Sequence, residues 1–497
     1  MIDSINMKEN RTYFLAFAIL IFLQLCPIWL TPYPAMHDYP NHLARSFILH
    51  AYNESASYQA TYERDGRILP NLAMDLIVPN LMFGMSLETS SKVFLSLIIL
   101  TFGIGIHLLG SAVQAHSNWS ALAATFFTYN FTMSYGFVNY MFGVGLFFIT
   151  VAAWIRFEYR WTPFNLVVIS ALAMGCYISH LSAFVFLAIS LLCLTGLQSI
   201  KARVFRIAHG LGLLPLLAPT VAYIYYSLGI DYRLPMGWWH PLIIKKLTGL
   251  LYPFLSYNLI FDLCLGTAFM LLVFIGMRRK AASIVSWELL MVGGAFLILY
   301  LIAPMNGGIQ SSYIDRRFLL PAAVFLLLAV RIDVSKTAGS YVLIGLLSLC
   351  VLRTGEVWYH WNRIGQEVRK QVQIMSHLPD GARLYPMIVH DPSPTGEWLW
   401  DMHFFFTAHY ATIYRNSFVP TIYAWKDVHP IYLRSTETGY MQVERTTPIE
   451  QINWQNIFLK YDFLWGYKLS EEFERFLLER GRLVAKSGDT VLINLEP

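Results

Sequence analysis

Few side chains in this sequence can do acid–base or anion chemistry, and several of them follow the first apolar run. The stretch Pro34-Ala35-Met36-His37-Asp38-Tyr39-Pro40-Asn41-His42-Leu43-Ala44-Arg45 holds an acid, two histidines, an amide and an arginine. The run from Thr12 to Thr31 is long enough to cross a bilayer, which places this cluster at the water–lipid boundary on the far side. A carboxylate there, Asp38, can act as a general base. Asp38 can equally cap the next helix, since Pro40 and the spacing of Leu43, Phe47 and Ala51 mark an ordinary N-terminus. Both readings stand at this point.

Cations and aromatics that could meet a phosphate or a sugar lie further along. Arg316 and Arg317, beside Asp315 in Tyr313-Ile314-Asp315-Arg316-Arg317-Phe318, could clamp a phosphate, because a guanidinium fork matches phosphate oxygens. Snorkelling to the interface is the competing account. His180, at a turn between two apolar runs, could add a hydrogen bond or be structural. Gly237-Trp238-Trp239-His240 puts aromatics beside polar groups, as a sugar-stacking wall does and as an interfacial aromatic belt does.

The elements that position these groups belong to a membrane protein. Hydrophobic residues make up 56% of the 497 and charged residues 13%, against about a quarter charged in soluble domains; the mean hydropathy is +0.48. The net charge of +5 is spread in short groups between apolar runs, which argues against nucleic acid as a partner. All five cysteines fall inside apolar runs without CxxC spacing, so disulfides and thiolate metal sites are not expected. Lys8 and Arg11 precede a first run too long for a signal peptide, which is expected to be a retained anchor.

Ile68 to Leu87 contains Pro70, Asn71, Asp75, Pro79 and Asn80, and is expected to be a juxtamembrane or re-entrant helix on the Asp38 side. The spans then fall at Val93–Ala112, Trp119–Met133, Val138–Ile155, Pro163–Ile178, Leu181–Leu197, Ile207–Leu228, Leu259–Met277, Trp287–Ala303, Phe318–Val330 and Tyr341–Leu352. With the first, that makes about eleven. The groups Arg156/Arg160, Lys201/Arg203/Arg206, Arg278/Arg279/Lys280 and Arg331/Lys336 then share the N-terminal, cytoplasmic side. From about Gly355 the composition becomes soluble, so we expect a membrane domain over 1–355 and a small extracytoplasmic α/β domain over 356–497. That second domain has no G-x-G-x-x-G, P-loop or H-E-x-x-H motif, and no chemistry is assigned to it.

On these features the chain resembles the integral-membrane glycosyltransferases of the C superfamily (GT-C), which use polyprenyl-phosphate-linked sugars. The likeness covers residues 10 to 355 and rests on the acid just beyond the first span, the juxtamembrane helices after it, the many spans and an outward C-terminal domain. It implies a bacterial hexosyl- or pentosyltransferase of the inner (plasma) membrane, with its site and C-terminal domain facing the periplasm or exterior. The donor is a polyprenyl-phosphate sugar and the acceptor a glycan or lipid. Asp38 is implied as the base of an inverting displacement; Arg316, Arg317, His180, His42, Asn139 and Tyr313 are implied around the donor phosphate. His37, Trp238, Trp239 and His240 are expected to form the acceptor or sugar wall. Family members commonly carry a second outer-loop acid as a metal ligand, where this sequence offers Asn139, so no metal or other cofactor is expected. Two alternatives are a transporter or flippase for lipid-linked glycans, and a polysaccharide polymerase or ligase that works by arginines without a carboxylate. The transporter reading finds no internal repeat in the sequence to support it.

Overall fold

The computed structural model describes residues 2–114, 118–158, 160–204, 207–230, 234–238, 242–308, 312–388, 401–434 and 449–495. Among the described residues, six helices are long and apolar enough to cross a membrane: Arg11–Leu30, Leu87–Val113, Val138–Arg156, Leu181–Ala202, Leu259–Arg278 and one that begins at Thr337. Pro163–Ser179, Leu214–Leu228 and Trp287–Ile302 are shorter apolar helices. The chain is a polytopic helical membrane protein with a few small sheets.

Two of the expected spans are interrupted, each for a local reason. The Trp119 segment runs as Trp119–Ala124, a 3₁₀ turn Thr125–Thr128 and a last helical turn Phe131–Tyr135. Asn130 causes the break by capping that last turn, its Oδ1 accepting from Thr132 N at 2.7 Å. In the Ile207 segment Pro215 sits in a 3₁₀ turn, Leu214–Leu216, and the regular helix resumes at Leu217, because proline removes a donor and clashes within a helix.

Ile68 to Leu87 does not cross. Its helix is Ala73–Leu81, nine residues, about 13 Å long. It packs beside the helix Tyr39–Ala51, and Leu72 N donates to Ile178 O at 2.8 Å, tying it to the end of Pro163–Ser179. Asp38, Asn139, His180 and Arg317 meet at this end of the bundle. The opposite end carries the antiparallel pair Ala282–Ile284 with Val330–Ile332.

The last expected span continues without a break into the segment of soluble composition as one helix, Thr337–Ile374, of 38 residues. The boundary expected at 355 lies inside it. Beyond it, Leu384–Ile388, Phe463–Tyr467, Thr490–Asn494 and Arg482–Ser487 form a four-stranded sheet in that spatial order, the first pair parallel and the others antiparallel. A strap, residues 421–433, leaves this region and returns to the membrane part. Its end, Ile431–Leu433, pairs antiparallel with Tyr62–Arg64.

Candidate active site

Asp38 is held from three directions. Its carbonyl starts the helix Tyr39–Ala51 by accepting from Asn41 N and His42 N, both at 3.1 Å. Its own N–H donates to Tyr135 O at 3.0 Å, and His37 N donates to Ser134 O at 3.2 Å. Gly136 ends the Phe131–Tyr135 turn at φ 91°, and a Cβ there would lie 2.8 Å from Asp38 N. Only glycine gives both the left-handed backbone and this close approach.

The Asp38 side chain makes no capping bond to its helix. Instead Oδ1 accepts from Tyr423 Oη of the strap at 2.9 Å, and His37 Nε2 lies 3.6 Å from the same oxygen. The residue is 5% exposed. Burial raises its pKa to about 7, against the opposing effects of the Tyr423 hydrogen bond and the charges of Arg317 and Arg45. A carboxyl that titrates near neutrality is suited to taking up and releasing a proton at working pH.

Asp38 lines a cavity of about 460 Å³ with His42, Asn139, His180, Tyr313, Arg317, Tyr423, Trp425 and His429. A second cavity of about 380 Å³ adjoins it and shares Asn71, His180, Arg317 and Val428. The rest of its wall includes Leu181, Val185, Phe186, Tyr223, Met236 and Phe318. A polar chamber thus adjoins an apolar one, with Arg317 and His180 at the junction.

Those two residues form a pair. Arg317 Nη1 lies 3.2 Å from His180 Nε2 and 3.4 Å from Ser182 Oγ. His180 Nδ1 accepts from Ser182 N at 3.0 Å, so a neutral ring carries its proton on Nε2, facing the guanidinium. Burial, with the Arg317 charge beside it, holds His180 well below its usual pKa. Burial also lowers Arg317, to about 10, which leaves it cationic at neutral pH. Two N–H donors therefore meet at the junction.

Arg316 points elsewhere. Its guanidinium lies 3.8 Å from the Tyr252 ring centre and 4.4 Å from that of Tyr313, in an aromatic cage. Asp315 is buried and bound to Lys246 Nζ at 2.7 Å, an ion pair that holds the loop and keeps this acid out of the cavity. Asn139 lines the chamber, but its amide is engaged: Oδ1 accepts from Met74 N at 2.7 Å and Nδ2 donates to Asn71 O at 2.8 Å. Among its described residues the wall thus holds one carboxylate, Asp38, and the amides of Asn71, Asn139 and Asn306, of which that of Asn139 is occupied.

His37 is buried behind Asp38 against Tyr135 and Phe406 and does not line the cavity. Trp238 is half exposed and away from the cavity wall; Trp239 and His240 lie outside the described residues. The strap supplies what sequence reasoning missed: Tyr423 on the base, with Trp425 and His429 beside it. Alternating aromatics in Tyr423-Ala424-Trp425 were the only available signal.

The rest of the Asp38 motif holds the strap in place. Asn41 Nδ2 donates to Thr421 O at 2.9 Å and its Oδ1 accepts from Tyr423 N at 2.7 Å. Arg45 grips Asp75 with both ends of its fork, at 2.7 and 2.8 Å, and reaches Tyr423 O at 3.3 Å. Arg45 is fully buried. Arg45→Met should therefore lower stability by about 3–5 kcal/mol, because it leaves Asp75 an uncompensated buried charge. The double variant Arg45→Met/Asp75→Leu should recover most of that loss in thermal unfolding in detergent.

No protein-family model matches the chain, and no curated protein does. The fold, by contrast, has solved counterparts. The chain is similar over 97% of its length, and 97% of theirs, to crystal structures of ArnT from Cupriavidus metallidurans. The TM-score is 0.53 with 10% identity for the form bound to undecaprenyl phosphate, and 0.54 with 9% for the apo state.

Proposed function

We propose that the protein transfers a sugar from a polyprenyl phosphate to a hydroxyl of an extracytoplasmic glycan or lipid, with Asp38 as general base and inversion at the anomeric carbon. The observation that carries this reading is a buried carboxylate, free of capping duty, in a polar chamber that adjoins an apolar one across the Arg317–His180 pair. An anionic headgroup with an apolar tail matches that layout, and the ArnT structure similar to this chain is bound to undecaprenyl phosphate.

Asp38 takes the proton from the acceptor hydroxyl as its oxygen attacks C1. The C1–O bond to phosphate breaks, the electron pair leaves with the phosphate, and the guanidinium of Arg317 with His180 Nε2–H stabilises the growing charge. No second carboxylate is needed, since phosphate leaves without a general acid. No metal step is invoked. The basic ends Arg156, Lys201 and Arg278 at the opposite face support a periplasmic or exterior site in a bacterial inner membrane.

The test is transfer of label from polyprenyl-phosphate sugars by purified protein in nanodiscs; absence of transfer and of donor binding with every sugar tried rejects the reading. Tyr423→Phe gives a finer check. The Tyr423 hydrogen bond favours the ionised carboxylate, so losing it raises the Asp38 pKa further. The base works deprotonated, and the rising limb of kcat against pH should move to higher pH in the variant. An unmoved limb means that another group sets it.

A further inference from the structure

The strap presents two faces. Ile422 and Ala424 are buried, packed with Ala44, Ile48 and Tyr62, while Tyr423 and Trp425 turn toward the chamber. Trp425 is 44% exposed, although its backbone is fixed: its N–H donates to His429 Nδ1 at 3.2 Å. His429 stacks parallel to Tyr423, with ring centres 5.8 Å apart, and Trp425 lies 5.2 Å from Tyr423 and 5.5 Å from His429. Asn41, Arg45 and the Arg67–Asp427 ion pair at 2.5 Å anchor the strap on both sides. The result is an exposed indole on a rigid mount.

Its position relative to the base and the phosphate site gives it a side. Tyr423 and Trp425 line the polar chamber and not the apolar one. They stand with Asp38, whose oxygen Tyr423 touches, on the side from which the attacking hydroxyl must come. Among the described residues of the chamber wall, Asp38 and Arg317 are the only Asp, Glu, Lys or Arg. The first is the base and the second faces the donor phosphate, so among the described residues of that wall no lysine or arginine is left to pair with an acidic acceptor. Burial holds His42 and His429 below their usual pKa, which keeps them neutral.

We propose that Trp425, backed by Tyr423 and His429, is the platform on which the acceptor stacks, and that the acceptor is an uncharged saccharide. A sugar ring offers an apolar C–H face to an indole and hydroxyls to the surrounding polar groups, and it needs no counter-charge. This deepens the transferase reading above and rests on it.

The experiment uses the full chain in lipid nanodiscs and does not require turnover. Saturation-transfer NMR measures binding of neutral glucose and mannose tetrasaccharides, of tetragalacturonate, and of a serine- and threonine-rich peptide, while undecaprenyl phosphate binding is measured in parallel. The expected result is that a neutral tetrasaccharide binds, that Trp425→Ala weakens it by about tenfold or more, and that Trp425→Phe restores most of the loss. Both variants should bind undecaprenyl phosphate as the parent does. Preference for tetragalacturonate or the peptide, no binding of either neutral probe, indifference of saccharide binding to Trp425→Ala, or an equal loss of undecaprenyl phosphate binding overturns the assignment. Failure of the parent to bind undecaprenyl phosphate is the separate result that rejects the underlying transferase.

Discussion

Asp38→Asn should yield a protein that folds, inserts and binds its polyprenyl donor, yet transfers about 10²–10⁴ times more slowly. Asparagine keeps the volume and the oxygen that accepts from Tyr423, and no helix-capping bond is lost because the parent makes none. Stability should not fall. The folded pKa of Asp38 is raised from 3.8 to about 7, so its contribution to stability is fully present below the unfolded pKa and is lost as pH rises through 7. An amide cannot ionise, and above pH 7 the variant should melt no lower than the parent. Near-parental transfer by a donor-saturated Asp38→Asn protein ends the claim for this base and favours a transferase that works by arginine alone.

Replacement of Arg317 should have the other large effect, and replacement of Arg316 at the next position should not share it. Arg317→Ala removes the cation at the junction of the two chambers and should weaken undecaprenyl phosphate binding by about tenfold or more, the scale of a lost charged hydrogen bond. Arg317→Lys keeps the charge but loses the planar fork, and should recover only part of the affinity. Arg316→Lys disturbs an aromatic cage that meets the chamber only through the Tyr313 ring, while Arg316 itself is not in the wall, so its cost should appear in the melting temperature. Donor affinity that follows Arg316 and ignores Arg317 makes Arg316 the phosphate ligand; indifference to both places the phosphate elsewhere, with Lys245 or Arg233, in the polar loop between Gly229 and Asn258, the next candidates.

That contrast marks where the sequence stops being informative. Neighbours on one helical turn point about 100° apart, and which of them meets the ligand is decided by rings far away in the chain. Tyr252 and Phe131 take the Arg316 guanidinium, which leaves Arg317 for the cavity. Asn139 was similarly ambiguous: the resemblance drawn from the sequence set it against a metal-binding acid, but its partners are the backbone groups of Asn71 and Met74, which no spacing rule connects to it. The position of Asp38, by contrast, was readable, because the length of one apolar run fixes where its end emerges. The prolines and amides between Ile68 and Leu87 likewise announced a segment unable to cross.

The strap was invisible for a different reason. Tyr423 and Trp425 belong to a region without a recognisable motif, and their meaning comes from Asn41 and Arg45 some 380 positions earlier. Asn41 and Arg45 of the Asp38 motif read as chemistry in sequence and prove to be a socket for a distant part of the chain.

The continuous helix Thr337–Ile374 gives this arrangement a fixed scale. About 57 Å of unbroken rod leads from the far boundary of the membrane to the sheet from which the strap departs, so the height of the strap above the lipid is measured from the opposite leaflet. A single residue inserted in that rod turns everything beyond it by about 100° and lifts it about 1.5 Å, which carries Tyr423 off the carboxylate it must touch. Insertions in this chain are therefore better borne by the loops, while this helix acts as a gauge that sets the plane of the reaction relative to the bilayer.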